Sequence, residues 1–194
     1  MLSVVIPTYC ERENIGPLLR RLDGVRARLG EPLEVIVVDD GSEDGTAECA
    51  RQMQGLTIPV TVLGQVAPDG LTAAVLQGIG CARGDLVGIM DADLSHPPEV
   101  LPELVKAVRS GLAIAVASRY VAGGRITNWP WTRRALSRVG NLLARPLIPV
   151  ADVTSGYFVC RADLVRGVHV DPRGFKILLD ILAQCPGSQI QEVT

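Results

Sequence analysis

Acidic side chains follow several short apolar segments of this sequence, and they are the residues best suited to chemistry. Asp91 and Asp93 come directly after the apolar run at residues 86–90. A run of that length is typical of a strand buried on both faces. If the chain remains extended through both aspartates, their carboxylates converge, and such a pair suits Mg²⁺ or Mn²⁺. The alternative is a polar loop that caps a helix, because Pro97 and Pro98 follow.

The elements that must position these acids are predicted from hydrophobic periodicity. Strands are predicted at residues 2–6, 33–38, 58–63, 86–90, 112–117, up to 160 after a loop from 152, and at 188–193. Helices are predicted at residues 13–29, about 46–54, 71–82, 98–109, 131–147 and 175–184. The alternation predicts an α/β fold with right-handed crossovers and a mainly parallel sheet. Glu11 and Asp40, which follow the first two strands, then share one sheet edge with Asp91 and Asp93.

Bulk properties favour one soluble domain and exclude several classes of protein. The chain has 194 residues and a net charge of -2 without a basic block, so a nucleic-acid-binding face is not indicated. Its five cysteines are odd in number and widely spread, which argues against a disulfide framework or zinc site and for a reducing compartment. No signal peptide precedes the first strand, and no apolar run reaches the roughly 18 residues of a membrane span.

A basic face is predicted on the helix at residues 131–147. Arg133 and Ser137 are four residues apart and therefore share one side of that helix. A guanidinium and a hydroxyl in that arrangement could bind a phosphate. The alternative is an ordinary solvated basic face.

Four segments appear in an order and spacing that resemble the family 2 glycosyltransferases of GT-A fold. They are residues 7–14 (PTYCEREN), 39–46 (DDGSEDGT), 90–99 (MDADLSHPPE) and 118–120 (SRY). Within that family the chain is most similar to dolichol-phosphate and polyprenol-phosphate mannosyltransferases. The resemblance covers essentially the whole chain, and implies one GT-A catalytic domain over residues 1–194, a Rossmann-like three-layer sandwich.

The resemblance implies an inverting enzyme that moves mannose from GDP-mannose to a polyprenyl or dolichyl phosphate. Its partners are then a nucleotide-sugar donor, a lipid phosphate acceptor and a membrane surface, with no nucleic acid, and its place is the cytoplasmic face of a membrane. A Mg²⁺ or Mn²⁺ cofactor would neutralise the leaving diphosphate. The acceptor phosphate is already mostly dianionic near pH 7 and needs no strong general base.

The resemblance also assigns roles to individual residues. By this resemblance the donor is bound by Pro7, Tyr9, Glu11, Val38, Asp40, Asp91, Ala92 and Asp93. The metal is bound by Asp91, Asp93 and Ser95, and the acceptor phosphate is bound by Arg119, Arg133 and Ser137. The catalytic residues are Asp93 and Arg119. Each has a structural alternative, such as a strand terminator for Pro7 or a turn former for Asp40 and Ser42.

The sequence departs from the family pattern at three places. Cys10 stands where the family usually has Asn, and the alternatives are that a buried small thiol replaces the Asn or that a hydrogen bond is lost. Residues 68–74 read PDGLTAA, where a basic residue and Gly-Leu-Gly are usual. Relatives continue beyond the position of Thr194 into a basic segment and membrane-associating helices, so a C-terminal truncation is expected.

Other functions stay open at this point. One is a family 2 transferase that uses a UDP-sugar or a hydroxyl acceptor, and another is a catalytically silent nucleotide-sugar binding module. A dinucleotide-dependent oxidoreductase is disfavoured, because no Gly-x-Gly-x-x-Gly follows the first strand.

Overall fold

A computed structural model of the chain describes residues 1–64, 70–118, 150–167, 177–184 and 190–193. The predicted alternation of strands and helices is confirmed in these ranges. The strands are β1 (Leu2–Thr8), β2 (Leu33–Asp39), β3 (Val60–Gly64), β4 (Leu86–Ile89), β5 (Ile114–Ala117), β6 (Phe158–Arg161) and β7 (Ile190–Val193). The helices are α1 (Arg12–Leu29), α2 (Thr46–Arg51), α3 (Leu71–Cys81), α4 (Leu101–Arg109), α5 (Ala162–Gly167) and α6 (Ile177–Gln184).

The seven strands form one sheet in the order β3-β2-β1-β4-β6-β5-β7. Strand β6 is antiparallel to β4 and to β5, and the other neighbours are parallel. The prediction of a mainly parallel sheet is therefore confirmed. The carboxyl ends of β1, β2 and β4 lie side by side, so the segments that follow them meet at one edge.

Both faces of the sheet are buried, which explains the continuous apolar runs. In β1, Leu2, Val4 and Ile6 pack into the core formed with α1 and α4. Val5, on the opposite face, packs into a second core formed with α3, α5 and α6. The result is the predicted three-layer sandwich. None of the described helices is long and apolar enough to cross a bilayer.

Three features differ from the sequence-based expectation. The predicted helix at 98–109 begins as a 3₁₀ turn at Pro98–Val100 and becomes α-helical only at Leu101. Helix α5 was not predicted, because six residues are too few to show a helical period. The helix predicted at 131–147 lies outside the described residues.

Ionic and hydrogen-bonded groups fasten the amino-terminal edge of the central strands. The carboxylate of Glu34, buried in β2, accepts hydrogen bonds from Ser3 Oγ at 2.6 Å and Arg83 Nε at 2.9 Å. The N–H of Gly84 in turn donates to Ser3 Oγ at 2.8 Å. These bonds join β1, β2 and the segment that leads into β4.

Candidate functional site

A cavity of about 270 Å³ lies at the carboxyl ends of β1, β2 and β4. It is lined by Pro7, Thr8, Tyr9, Glu11, Asp40, Leu71, Ala74, Asp91, Ala92 and Asp93. Seven of the eight residues predicted to bind the donor therefore line one hollow. The expectation that acidic residues from three different strand ends meet at this edge is confirmed.

A turn brings Asp91 and Asp93 together, so strand alternation is the wrong explanation. Strand β4 ends at Ile89, and residues 92–96 form bends. Leu94 has a left-handed φ of 57°, and the N–H of Ser95 donates to Asp93 Oδ1 at 2.9 Å. The side chain of Leu94 packs against the core and so fixes the turn. The neighbouring Asp93 is exposed to solvent.

The far end of this turn is fixed by aromatic packing. His96 is buried with its ring centroid 5.7 Å from that of Tyr157, in an edge-to-face arrangement. Tyr157 is fully buried immediately before β6, and its burial raises the pKa of its phenol well above the usual value. Tyr157 therefore stays neutral and serves as a rigid support for the loop that carries the two aspartates.

The loop after β2 holds the loop after β1. Three successive backbone N–H groups donate to side chains of that second loop and of the first residue of α2: Cys10 to Ser42 Oγ at 2.8 Å, Glu11 to Thr46 Oγ1 at 2.9 Å and Arg12 to Asp44 Oδ2 at 3.1 Å. These bonds fix Tyr9 and Glu11 at the cavity.

The second loop is itself braced by two aspartates. Asp39 accepts the Ser42 hydroxyl at 2.7 Å and the Ser42 N–H at 3.0 Å. Asp44 accepts the Thr46 hydroxyl at 2.5 Å, and hydrogen bonds from Thr46 and Arg12 lower the pKa of its carboxyl. The turn-forming alternative considered for Ser42 is thus its observed structural role. The segment at residues 39–46 supplies support as well as Asp40.

Cys10 does not replace an asparagine by burial, and that expectation is wrong. The residue is exposed and its φ is 55°, in the left-handed region. Asn adopts this region more readily than Cys, which gives a physical reason for the family pattern.

Other predicted site residues stand apart from the cavity or outside the described ranges. Val38 is fully buried in β2, facing α3, and is not among the lining residues. Ser95 is exposed in the turn and is also not among them. Arg119, Arg133 and Ser137 lie outside the described residues.

Sequence reasoning missed a second, smaller cavity of about 70 Å³ beside the first. The two cavities share Pro7, Leu71 and Asp91, so the carboxylate of Asp91 lies at their boundary. The remaining lining residues come from α3, β4, α6 and the loop before β6: Val75, Ile89, Val153, Thr154, Ser155, Gly156, Ile177 and Leu178. The polar run from Asp152 to Gly156, placed just before a strand, was the available signal.

The loop before β6 is tied to the last strand. Glu192 in β7 accepts the backbone N–H of Ala151 at 2.9 Å and that of Asp152 at 3.0 Å, one on each carboxylate oxygen. Both ends of the loop are therefore held by strands of the sheet.

Electrostatics favour a cation in the larger cavity. Of its described lining residues four are acidic and none is basic: Glu11, Asp40, Asp91 and Asp93. Like charges that line one cavity repel one another, and a divalent cation would relieve that repulsion. Within the described ranges no three His, Cys, Asp or Glu side chains form a metal-binding group. Two carboxylates nevertheless fit Mg²⁺, which one or two carboxylates commonly hold together with substrate phosphates.

The fold and the acidic cavity define a class of protein, the GT-A glycosyltransferase-like α/β domains. A solved structure of this fold is mannosyltransferase PcManGT from Pyrobaculum calidifontis in complex with GDP-Man and Mn²⁺. It has a TM-score of 0.65 and 20% identity, over 99% of this chain and 54% of that one. The glycosyl transferase family 2 domain matches residues 3–168, and the chain belongs to that family.

Two curated relatives are similar along most of this chain. A dolichol-phosphate mannosyltransferase of Pyrococcus furiosus is 43% identical over 99% of this chain and 55% of its own length. A dolichol-phosphate mannosyltransferase of Saccharomyces cerevisiae is 35% identical over 95% of this chain and 70% of its own length. The chain thus spans about half of the Pyrococcus protein.

Proposed function

We propose that this chain is the catalytic domain of an inverting glycosyltransferase that moves mannose from GDP-mannose to a polyprenyl phosphate. The observation that carries the proposal is the convergence of Glu11, Asp40, Asp91 and Asp93 on one cavity. Family membership and the names of the two curated relatives support the sugar and the acceptor class. Because the acceptor is a lipid, the reaction takes place at a membrane surface, and we assign it to the cytoplasmic face.

In this proposal the larger cavity binds the donor. Tyr9, 64% exposed at the rim, offers an aromatic face to the base, and Asp40 offers an acceptor to ribose hydroxyls. Asp91 and Asp93 are the residues that would hold a divalent cation. When bound, such a cation would supply positive charge to offset the negative charge that develops on the leaving diphosphate.

The transfer needs no proton removal at the acceptor. An oxygen of the acceptor phosphate attacks the anomeric carbon, the bond from that carbon to the diphosphate oxygen breaks, and its electron pair leaves with GDP. The phosphate is mostly dianionic near pH 7, so the requirement is positioning against repulsion from the donor. We assign that positioning to Arg119, Arg133 and Ser137 on the sequence alone.

The metal assignment is tested by replacing Asp93 with Ala. GDP-mannose at about 100 times its Kd stabilises the folded state by about 2.7 kcal/mol, or roughly 5–11 °C in Tm for a chain of this size. With Mn²⁺ present we expect the wild type to show this shift and EDTA to reduce it. Asp93→Ala should retain only the metal-independent part, as measured by thermal unfolding.

The matched control is Glu103→Ala, which removes an exposed carboxylate from α4. It should behave as the wild type does. An undiminished Mn²⁺-dependent shift in Asp93→Ala would refute the metal assignment. A panel of GDP- and UDP-sugars in the same assay identifies the donor. A larger shift in Tm with a UDP-sugar would overturn the assignment of GDP-mannose as the donor.

Turnover is tested with radiolabelled GDP-mannose and a short-chain polyprenyl phosphate. We expect label to pass into the organic phase in a metal-dependent reaction. Donor binding without any transfer would identify a silent binding module instead.

A further inference from the structure

Gly156 lies directly against the carboxylate of Asp91. A Cβ atom placed on Gly156 would be 1.9 Å from Asp91 Oδ2, 2.4 Å from its Cγ and 2.5 Å from its Oδ1. All three distances are far shorter than any nonbonded contact in a packed interior. The φ of Gly156 is outside the left-handed region, so its backbone conformation does not by itself require glycine. The requirement is space, and Asp91 fills that space.

The loop cannot easily move away from Asp91, because both neighbours of Gly156 are anchored. Ser155 is buried, and its hydroxyl donates to the carbonyl of Ala117 at 2.8 Å. The carbonyl of Tyr157 accepts the Ala117 N–H at 2.9 Å, and the Tyr157 ring is fully buried. A side chain added at position 156 would therefore displace the carboxylate of Asp91, because that side chain can rotate more easily than the anchored loop can move.

We propose that Gly156 is a positioning residue for Asp91. Its missing side chain lets the carboxylate lie at the boundary between the two cavities, where Asp91 lines both. Gly156 itself lines only the smaller cavity and acts on the donor site through Asp91. The inference rests on the proposed function in so far as Asp91 serves donor binding.

The first test is Gly156→Ala, compared with wild type and with Gly24→Ala. Gly24→Ala adds the same methyl group on α1 where nothing lies within 4 Å. We expect Gly156→Ala to lower the Mn²⁺-dependent affinity for GDP-mannose at least tenfold and to leave the metal-independent affinity within about twofold. A general loss of stability would not change the ratio of these two affinities. Gly24→Ala should keep that ratio at the wild-type value.

The decisive test is the cycle with Asp91→Ala, which removes the three atoms nearest to the new methyl group. Asp91→Ala/Gly156→Ala should unfold at the same temperature as Asp91→Ala alone and bind GDP-mannose equally well. If Gly156→Ala alone does not fold, we expect this double variant to fold, because the three atoms nearest to the new methyl group are gone. Additive losses in stability or in donor affinity would overturn the proposal, as would wild-type metal dependence in Gly156→Ala.

The ligand-free part of the cycle separates this inference from the proposed function. If wild type binds none of the nucleotide sugars, the proposed function fails. Non-additive losses in unfolding temperature would still establish that Gly156 positions Asp91. If wild type binds GDP-mannose and the losses in unfolding temperature are additive, Gly156 does not position Asp91, whereas the proposed function stands.

Discussion

Cys10 and Leu94 adopt left-handed backbone conformations beside the cavity, with φ of 55° and 57°. Such conformations are costly for residues other than Gly, Asn and Asp, and they collect at functional sites where the surroundings impose them. Three hydrogen bonds donated by the backbone N–H groups of residues 10–12 impose the conformation of Cys10. The packing of Leu94 against the core contributes to the conformation of Leu94.

We predict that Cys10→Asn stabilises the protein by about 0.5–1 kcal/mol, because Asn tolerates φ near 55° better than Cys. Thermal unfolding should show a rise in Tm of about 1–4 °C. Cys81→Asn, at an exposed helical position at the end of α3, is the control and should stay within about 0.5 kcal/mol of wild type. Equal shifts in the two variants would contradict the backbone explanation.

At this scale the sequence predicts residue types better than their geometry. Asp91 and Asp93 were identified from their place after an apolar run, but their convergence comes from the turn at Leu94, which no periodicity shows. The support from Ser42 and Thr46, and the seat at Gly156, depend on contacts between segments far apart in the chain. Local pattern carries no signal for such contacts.

Helix α3 supplies one wall of the cavity, and Gly78 sets its distance from the sheet. A Cβ at Gly78 would lie 2.3 Å from Val5 Cγ1 and 3.1 Å from Val38 Cγ2. At Gly78 the helix backbone therefore packs directly on the side chains of Val5 in β1 and Val38 in β2, without a side chain of its own. Its first residue, Leu71, reaches both cavities from this position.

We predict that Gly78→Ala destabilises the fold by about 1–3 kcal/mol, because overpacking outweighs the helix-propensity gain of about 1 kcal/mol. The displaced helix should also weaken GDP-mannose binding. Gly80→Ala lies on the same helix with nothing within 4 Å and should instead stabilise by up to about 1 kcal/mol. Chemical denaturation and donor titration check both, and equal stabilities of the two variants would disprove the close-packing explanation.

Element positions were well predicted because the sheet is buried on both faces. Runs such as Leu33–Asp39 and Leu86–Ile89 are mostly apolar and bounded by polar turns, and their ends differ from prediction by one residue. Short elements with little periodicity, such as α5, escaped prediction.

On the scale of the whole molecule, the two edges of the sheet differ in how their acidic residues are placed. Acidic residues at the carboxyl edge line a cavity, whereas Glu34 at the amino edge is paired with Arg83 and Ser3. Burial, the largest single influence, raises the pKa of Glu34. Hydrogen bonds from Arg83 and Ser3 together outweigh it and hold that pKa below the ordinary value of 4.5.

This pairing predicts a pH dependence with a definite sign. Because the folded pKa of Glu34 is lower than the unfolded one, the unfolded state binds more protons in acid. The contribution is fully present above about pH 4.5 and is lost as the pH falls through the folded pKa. Glu34→Gln should cost about 1–3 kcal/mol at pH 7 and less at pH 3.

Unfolding measured at pH 7, 5 and 3 checks this expectation, with Glu103→Gln as the exposed control. A deficit in Glu34→Gln that is the same at every pH would show that the ionised state of Glu34 is not what matters.

The clamp between Glu192 and the backbone of residues 151–152 has a consequence for biosynthesis. A nascent chain that has left the ribosome only as far as residue 118 already carries the four acidic residues that line the larger cavity in the described part of the chain. It does not yet carry the loop with Gly156 that lies against Asp91. That loop is tied to the sheet only once Glu192 in β7 has been made. The surroundings of Asp91 are therefore completed only after its own carboxylate and those of the other three acidic residues have been made.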